Sequence, residues 1–217
     1  MAGLGARYSL LPPVVKALLI ANVAMFLAEL SYGEQLIKTL ALWPVDVSVV
    51  PVSGGRQLHF QLPQLLTYAF LHGSPMHLLL NMYALWLFGA RMENVWGSRA
   101  FLVYYGVCVI GAGLVQLLVS SIGAGQGGTV YPTIGASGGV FGLLLAFGMT
   151  FPNEVLILLF PPVALKAKWF VLLYGGIELW AGVTGTEAGV AHFAHLGGML
   201  FGLLMILYWR KRPPGIK

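Results

Sequence analysis

Residues Val190–Trp209 read VAHFAHLGGMLFGLLMILYW, a run without Asp, Glu, Lys or Arg that is closed by Arg210-Lys211-Arg212. A straight helix needs about 20 mostly apolar residues to cross the hydrocarbon core of a bilayer, so this stretch reads as a membrane span. The composition of the whole chain agrees. Of 217 residues, 58% are hydrophobic and 9% charged, and the mean hydropathy is +0.83. Soluble domains carry roughly 25% charged residues. So few charges cannot cover a water-facing surface, and lipid is the expected solvent. The net charge of +5 comes from basic residues scattered along the chain, which is no nucleic-acid footprint. The single Cys108 allows neither an internal disulfide nor a cysteine metal cluster.

Working back from this stretch, the other predicted spans are Val14–Leu30, Met76–Phe88, Ala100–Ser120, Ala136–Phe151 and Trp169–Val183. Together they predict an all-α, polytopic bundle of six spans in a single domain, 1–217. Val155–Leu165 is apolar too, but Pro161-Pro162 interrupts it. It is too short to span and is read as a connection. The first loop, from Ser31 to Gly73, is long and amphipathic, with Trp43-Pro44 and the run Leu58–Leu71. Loops of this length usually carry structure or function, and this one is expected to lie partly in the membrane. Arg7, Lys16, Arg91, Arg99, Lys166, Lys168, Arg210, Lys211, Arg212 and Lys217 fall on one side of such a bundle, against Lys38 and Arg56 on the other. The basic side marks the cytoplasm, so both termini are predicted to be cytoplasmic. The first stretch has no convincing small-residue cleavage site, and Glu29 stands where one would fall. An uncleaved first span is therefore expected.

The unusual polar residues gather at one depth. Ser74-Pro75 forms a helix start, a serine cap followed by proline at the first helical position. His77 and Asn81 follow, four apart and so on one face. Ser137 falls in the first turn of a span that opens near Gly135, and His195 about one and a half turns into a span that opens near Val190. At 1.5 Å rise per residue, all lie roughly 3–10 Å below their helix starts. Polar side chains are expensive in lipid and tend to face the bundle or a wet cavity. A serine alone is usually a packing residue, a histidine alone can bond a neighbouring carbonyl, and His77 with Asn81 can simply cross-link helices. Their shared depth argues for one site. Gly198 and Gly202 lie on the His195 face, at offsets of three and seven, and Gly138 and Gly142 repeat the four-residue spacing near Ser137. Small residues so spaced let two backbones approach closely in a bilayer.

Gly135-Ala136-Ser137-Gly138, Ala194-His195-Leu196-Gly197-Gly198 with Gly202, and His77-x-x-x-Asn81 resemble the motifs of rhomboid intramembrane serine proteases. The resemblance runs from about Leu62 to Trp209, and Glu93 with Gly97-Ser98 belongs to it. It implies a Ser137–His195 catalytic dyad. The Ser137 backbone N–H, His77 and Asn81 would stabilise the oxyanion, and no cofactor or metal would be needed. Gly135, Phe141, His192, Gly198 and Gly202 are supporting or cavity-lining candidates, and His72 is read as structural. Phe141 stands where relatives often carry tyrosine, so an aromatic face remains to pack on His195 while a phenol bond does not. Pro63-Gln64 replaces a Trp-Arg pair common in relatives, which leaves the anchoring of the first loop open. No Asp or Glu lies near the motifs in sequence, so a dyad without an acidic third member is expected.

Competing readings fail on chemistry. Gly135-x-Ser137-x-Gly139 fits a nucleophile elbow, but that motif needs a preceding strand in an alternating α/β chain. An aspartyl protease needs two acids, and the only aspartate is Asp46. His-Glu-x-x-His is absent, and a metal held by His77, His192 and His195 would find no nearby carboxylate base. A transporter would carry charged residues along a path, and Glu178 is the one strong candidate. The remaining alternative is a non-catalytic rhomboid-like protein that binds transmembrane helices. As a protease, the chain would take single-span proteins of the bilayer as substrates, entering past Phe170 and Trp180 or past the first loop. The oligomeric state is not readable. The simple six-span layout resembles prokaryotic members, so a prokaryotic cell membrane is the expected address.

Overall fold

A computed structural model of the chain describes residues 8–45, 59–128, 130–158, 163–185 and 190–213. Arg7, Asp46, Arg56, Pro161-Pro162 and Lys217, which entered the sequence reading, lie outside them. The described elements are α1 (Pro13–Leu40), α2 (Gln64–Thr67), α3 (Pro75–Ala84), α4 (Ala90–Trp96), α5 (Ser98–Gly125), α6 (Ser137–Thr150), β1 (Val155–Leu158), β2 (Val163–Lys166), α7 (Ala167–Thr184) and α8 (His192–Lys211). A 3-10 turn, Tyr68–Phe70, follows α2, and a π-helical turn, Leu85–Gly89, joins α3 to α4 in one rod. The result is an all-α polytopic bundle. By length and composition α1, α5 and α8 are each able to cross a membrane, and α6 is a shorter apolar helix.

Helix ends explain much of the arrangement. The first N–H groups of a helix have no intrahelical acceptor. At α1 they meet a carboxylate from another helix: Glu93 on α4 accepts the N–H of Val14 at 3.0 Å and of Val15 at 2.8 Å, and the Ser98 hydroxyl at 2.6 Å. A negative charge there also complements the helix dipole. α1 is broken at Tyr32 (φ −126°, ψ 21°), shortly after Leu30. Two residues before Glu93, Arg91 forms a bidentate pair with Glu154 at 2.9 Å and lies 4.7 Å over the Phe151 ring. The segment read as a bare connection is partly ordered as a hairpin, with Val155 opposite Lys166 and Leu156 opposite Leu165. Four residues a side alternate too briefly for periodicity to separate a strand from an apolar linker.

The first loop is anchored despite Pro63-Gln64. Gln64 is buried, accepts the N–H of Gln61 at 3.1 Å, and donates to the Thr39 carbonyl at 3.2 Å. The Thr67 hydroxyl donates to the Leu40 carbonyl at 2.7 Å. Leu42 exchanges both backbone hydrogen bonds with Thr133, and the Gly135 N–H donates to the Tyr68 carbonyl at 2.9 Å. These bonds tie the described ends of the first loop to α1 and to the segment that leads into Ser137.

α5, α6 and α8 form the tightest part of the bundle. A Cβ on Gly198 would stand 1.8 Å from the Gly138 carbonyl oxygen, and one on Gly142 would stand 2.4 Å from Cys108 Sγ. The first is a backbone contact that only glycine allows, and the second seats the Cys108 side chain against α6. The Tyr104 hydroxyl then donates to the Gly142 carbonyl at 2.9 Å. α6 has 14 residues, about 21 Å at the α-helical rise, against a hydrocarbon core of about 30 Å. Its far end runs into the Glu154–Arg91 pair, a polar anchor. α6 is therefore shorter than a full span.

Candidate active site

Ser137 opens α6, and His195 lies one turn into α8. The sequence reading set His195 half a turn deeper; α8 begins at His192 because Val190 and Ala191 are not yet helical. The close glycine contact between α6 and α8 brings Ser137 Oγ within 2.8 Å of His195 Nε2. Phe141, one turn below Ser137, stacks on the His195 imidazole with centroids 4.2 Å apart and planes 6° from parallel.

Gly135 has φ +120°, a conformation side chains rarely adopt. A Cβ there would lie 2.8 Å from His77 Cε1 and Nε2, and 3.7 Å from Ser137 Oγ. This glycine thus seats the His77 ring beside the serine. His77 enters from α3, whose start is capped by the Ser74 hydroxyl accepting the His77 N–H at 3.1 Å. Asn81 is buried one turn on and donates one amide hydrogen to the His77 carbonyl at 3.0 Å; its second amide hydrogen remains for another acceptor. His72, in the link before α3, donates its backbone N–H to the Glu29 carboxylate at 3.1 Å and sets its ring 5.0 Å from that of His77. Burial, with the neighbouring His77, pushes the His72 imidazole down to about 4.

The expectation of no acid near the histidine is wrong. Glu178 of α7 points between α7 and α8, and its Oε2 lies 2.7 Å from His192 Nδ1 and 2.8 Å from His195 Nδ1. The first contact is a hydrogen bond. The second is a close contact that lacks the direction of a hydrogen bond. All three residues are buried. Their potential ligand atoms lie within 4.8 Å of one another, a donor set of the kind that holds metals, so the claim that no carboxylate stands near these histidines also falls. The missed signal was available. An ionisable residue inside an apolar helix is by default a functional-site candidate, but distance along the chain hid its partner. Of the two gate candidates, Trp180 is exposed on the outer face of α7, whereas Phe170 is buried and stacks on Tyr174 at 4.6 Å.

A serine and a histidine in contact at the head of two glycine-packed membrane helices define a class of membrane protein with a built polar site. The rhomboid domain model matches residues 59–212, and the chain belongs to the rhomboid family. It is 33% identical over 162 residues to the presenilin-associated rhomboid-like protein A, mitochondrial, of Danio rerio, covering 72% of this chain and 41% of that protein. It is 32% identical over 143 residues to Rhomboid protein 1, mitochondrial, of Saccharomyces cerevisiae, covering 66% and 40%. It is 25% identical over 201 residues to the rhomboid protease GlpG of Yersinia pestis, covering 92% and 63%. The chain thus spans about two fifths of the length of the mitochondrial relatives. These relatives overturn the expected prokaryotic cell membrane and, with it, the cytoplasmic placement of both termini. At 32–33% identity the matches are mitochondrial proteins, above the bacterial one at 25%. Span count and the placement of Lys and Arg describe topology; they do not name the membrane.

Proposed function

We propose that this chain is an intramembrane serine endopeptidase. The observation that carries the reading is the 2.8 Å contact between Ser137 Oγ and His195 Nε2 at the head of two glycine-packed helices. A serine hydroxyl is a poor nucleophile without an adjacent base. As Oγ bonds to the scissile carbonyl carbon, His195 Nε2 takes its proton. The carbonyl oxygen becomes an oxyanion, facing the Ser137 N–H, His77 and the free Asn81 amide hydrogen. When the C–N bond breaks, His195 returns the proton to the leaving amine, and an acyl ester remains on Ser137. Water then attacks the ester with His195 again accepting a proton; the acyl C–Oγ bond breaks, His195 returns the proton to Ser137 Oγ, and the second product leaves as an acid.

The substrates in this reading are single-span membrane proteins, cut near the end of the helix that lies level with the starts of α3, α6 and α8. The intrahelical bonds of such a helix must open before its carbonyl reaches Ser137, so helix-weakening residues around the cut are expected. On the names of the relatives, we infer a mitochondrial membrane as the address. A rhomboid-like protein that only binds helices is the second reading, and the Ser137–His195 contact weighs against it.

A fluorophosphonate probe tests the activity without knowledge of the substrate. Wild type is expected to be labelled and Ser137→Ala is not, and the same variant should lose cleavage of a model span in liposomes down to background. Cleavage by Ser137→Ala above that background would sink the proposal.

A further inference from the structure

We infer that Glu178 is a positioning residue for His195, so that the site works as a Ser137–His195–Glu178 arrangement with the acid supplied by α7. This rests on the protease reading above. For His195 Nε2 to accept a proton from Ser137, the neutral ring must carry its own proton on Nδ1. A buried N–H needs an acceptor. Among the described residues, the carboxylate at that nitrogen is Glu178, with Oε2 at 2.8 Å. The contact is not in line, but catalytic hydrogen bonds are often poorly aligned before substrate binds and tighten in the complex.

The surroundings narrow what else Glu178 could be for. Phe141, stacked 6° from parallel on the imidazole, sets the plane of the ring but leaves it free to turn within that plane. A carboxylate at Nδ1 removes that freedom and selects the tautomer. His192 holds the carboxylate in turn, with Nδ1 at 2.7 Å from the same oxygen. When His195 takes the serine proton it becomes a cation beside this carboxylate, in an environment where water screens little. An uncompensated Glu within an apolar helix would be costly, and here the hydrogen bond to His192 offsets part of the cost while the His195 ring stands beside the same oxygen. The competing role is a brace: Glu178 would serve His192 alone and only tie α7 to α8.

The test compares Glu178→Gln, Glu178→Asp and His192→Asn in liposomes, by turnover of a model span and by the rate of fluorophosphonate labelling. Glu178→Gln is expected to lower kcat by roughly 10²–10⁴-fold, with the labelling rate falling in step and KM within about twofold. Glu178→Asp, which keeps the charge, should recover at least about tenfold of that loss. His192→Asn should cost less than about tenfold, because Glu178 remains. Wild-type labelling of Glu178→Gln would overturn the inference, and so would a His192→Asn loss equal to that of Glu178→Gln. If Glu178→Gln fails to fold, NMR of wild type with labelled histidine decides: a proton on His195 Nδ1 is expected, and a ring protonated only on Nε2 overturns it. Ser137→Ala in the same assay separates the two levels. If it is inactive while Glu178→Gln is fully active, only the role of Glu178 fails; if it still cleaves, the protease reading fails.

Discussion

The contact between α6 and α8 and the contact between α7 and α8 deliver parts of the same site by opposite means. α6 meets α8 through backbone: Gly198 faces the Gly138 carbonyl with no room for a Cβ. α7 meets α8 through side chains, with Met199 Cε near Gly175 and the Phe193 ring near Gly182, each beyond 3 Å from an added Cβ. Its outer face, with Trp169, Leu172, Ile177, Trp180 and Val183, is exposed. Ser137 and His195 are therefore set by a contact that cannot slide without a clash, whereas the Glu178 carboxylate rides on a helix held by flexible groups. The pair whose distance would matter most in the proposed reaction rests on the more rigid contact.

The largest effect should come from breaking the rigid contact. Gly198→Ala would put a methyl group 1.8 Å from a backbone oxygen, and a backbone oxygen has no rotamer by which to retreat. Overpacking of this kind costs about 1–3 kcal/mol or more. The helices must part, and a 1 Å misplacement at a reacting pair can cost about 10²-fold in rate. Turnover is expected to drop by at least that much, with a lower unfolding temperature in detergent. An unchanged rate would show that the glycine contact does not hold Ser137 to His195.

The next effect tests groups that reach the site from a third helix. Asn81→Ala removes the free amide hydrogen and the bond to the His77 carbonyl, and His77→Ala removes the ring seated against Gly135. Loss of one oxyanion donor typically costs about 10²–10³ in kcat. Each variant is expected to fall in that range with KM within a few-fold, and to keep measurable labelling by the fluorophosphonate. A defect confined to KM would remove these residues from the oxyanion role and make them part of substrate binding.

What could be read in the sequence follows the range of the signals. Long apolar runs and the caps at Ser74-Pro75 are local, and they sufficed for an all-α membrane bundle with Ser137 and His195 at helix starts. The β1–β2 hairpin was missed because four apolar residues a side look the same in a linker. The anchoring of the first loop was missed because Gln64 works through carbonyls and amides distant in the chain, at Thr39 and Trp43. Glu178 stands out in the sequence as a charge in an apolar span, but only the packing of α7 on α8 shows that it meets His192 and His195. Pairings between helices depend on rotation about the helix axis, which composition and spacing do not specify.

The smallest effect sharpens the comparison by placing the same substitution on the loose helix. A Cβ on Gly176, exposed on α7, meets nothing within 4 Å. Glycine in a helix interior is less favourable than alanine by about 0.8–1.0 kcal/mol in water, so Gly176→Ala should leave stability unchanged or raise it by up to about 1 kcal/mol. Turnover should stay within about twofold, because the added methyl group touches nothing. Thermal unfolding in detergent and cleavage of the model span check both numbers. A large loss of activity with normal stability would mean that α7 must bend at Gly176 during turnover, and that the looseness of this helix is itself part of the mechanism.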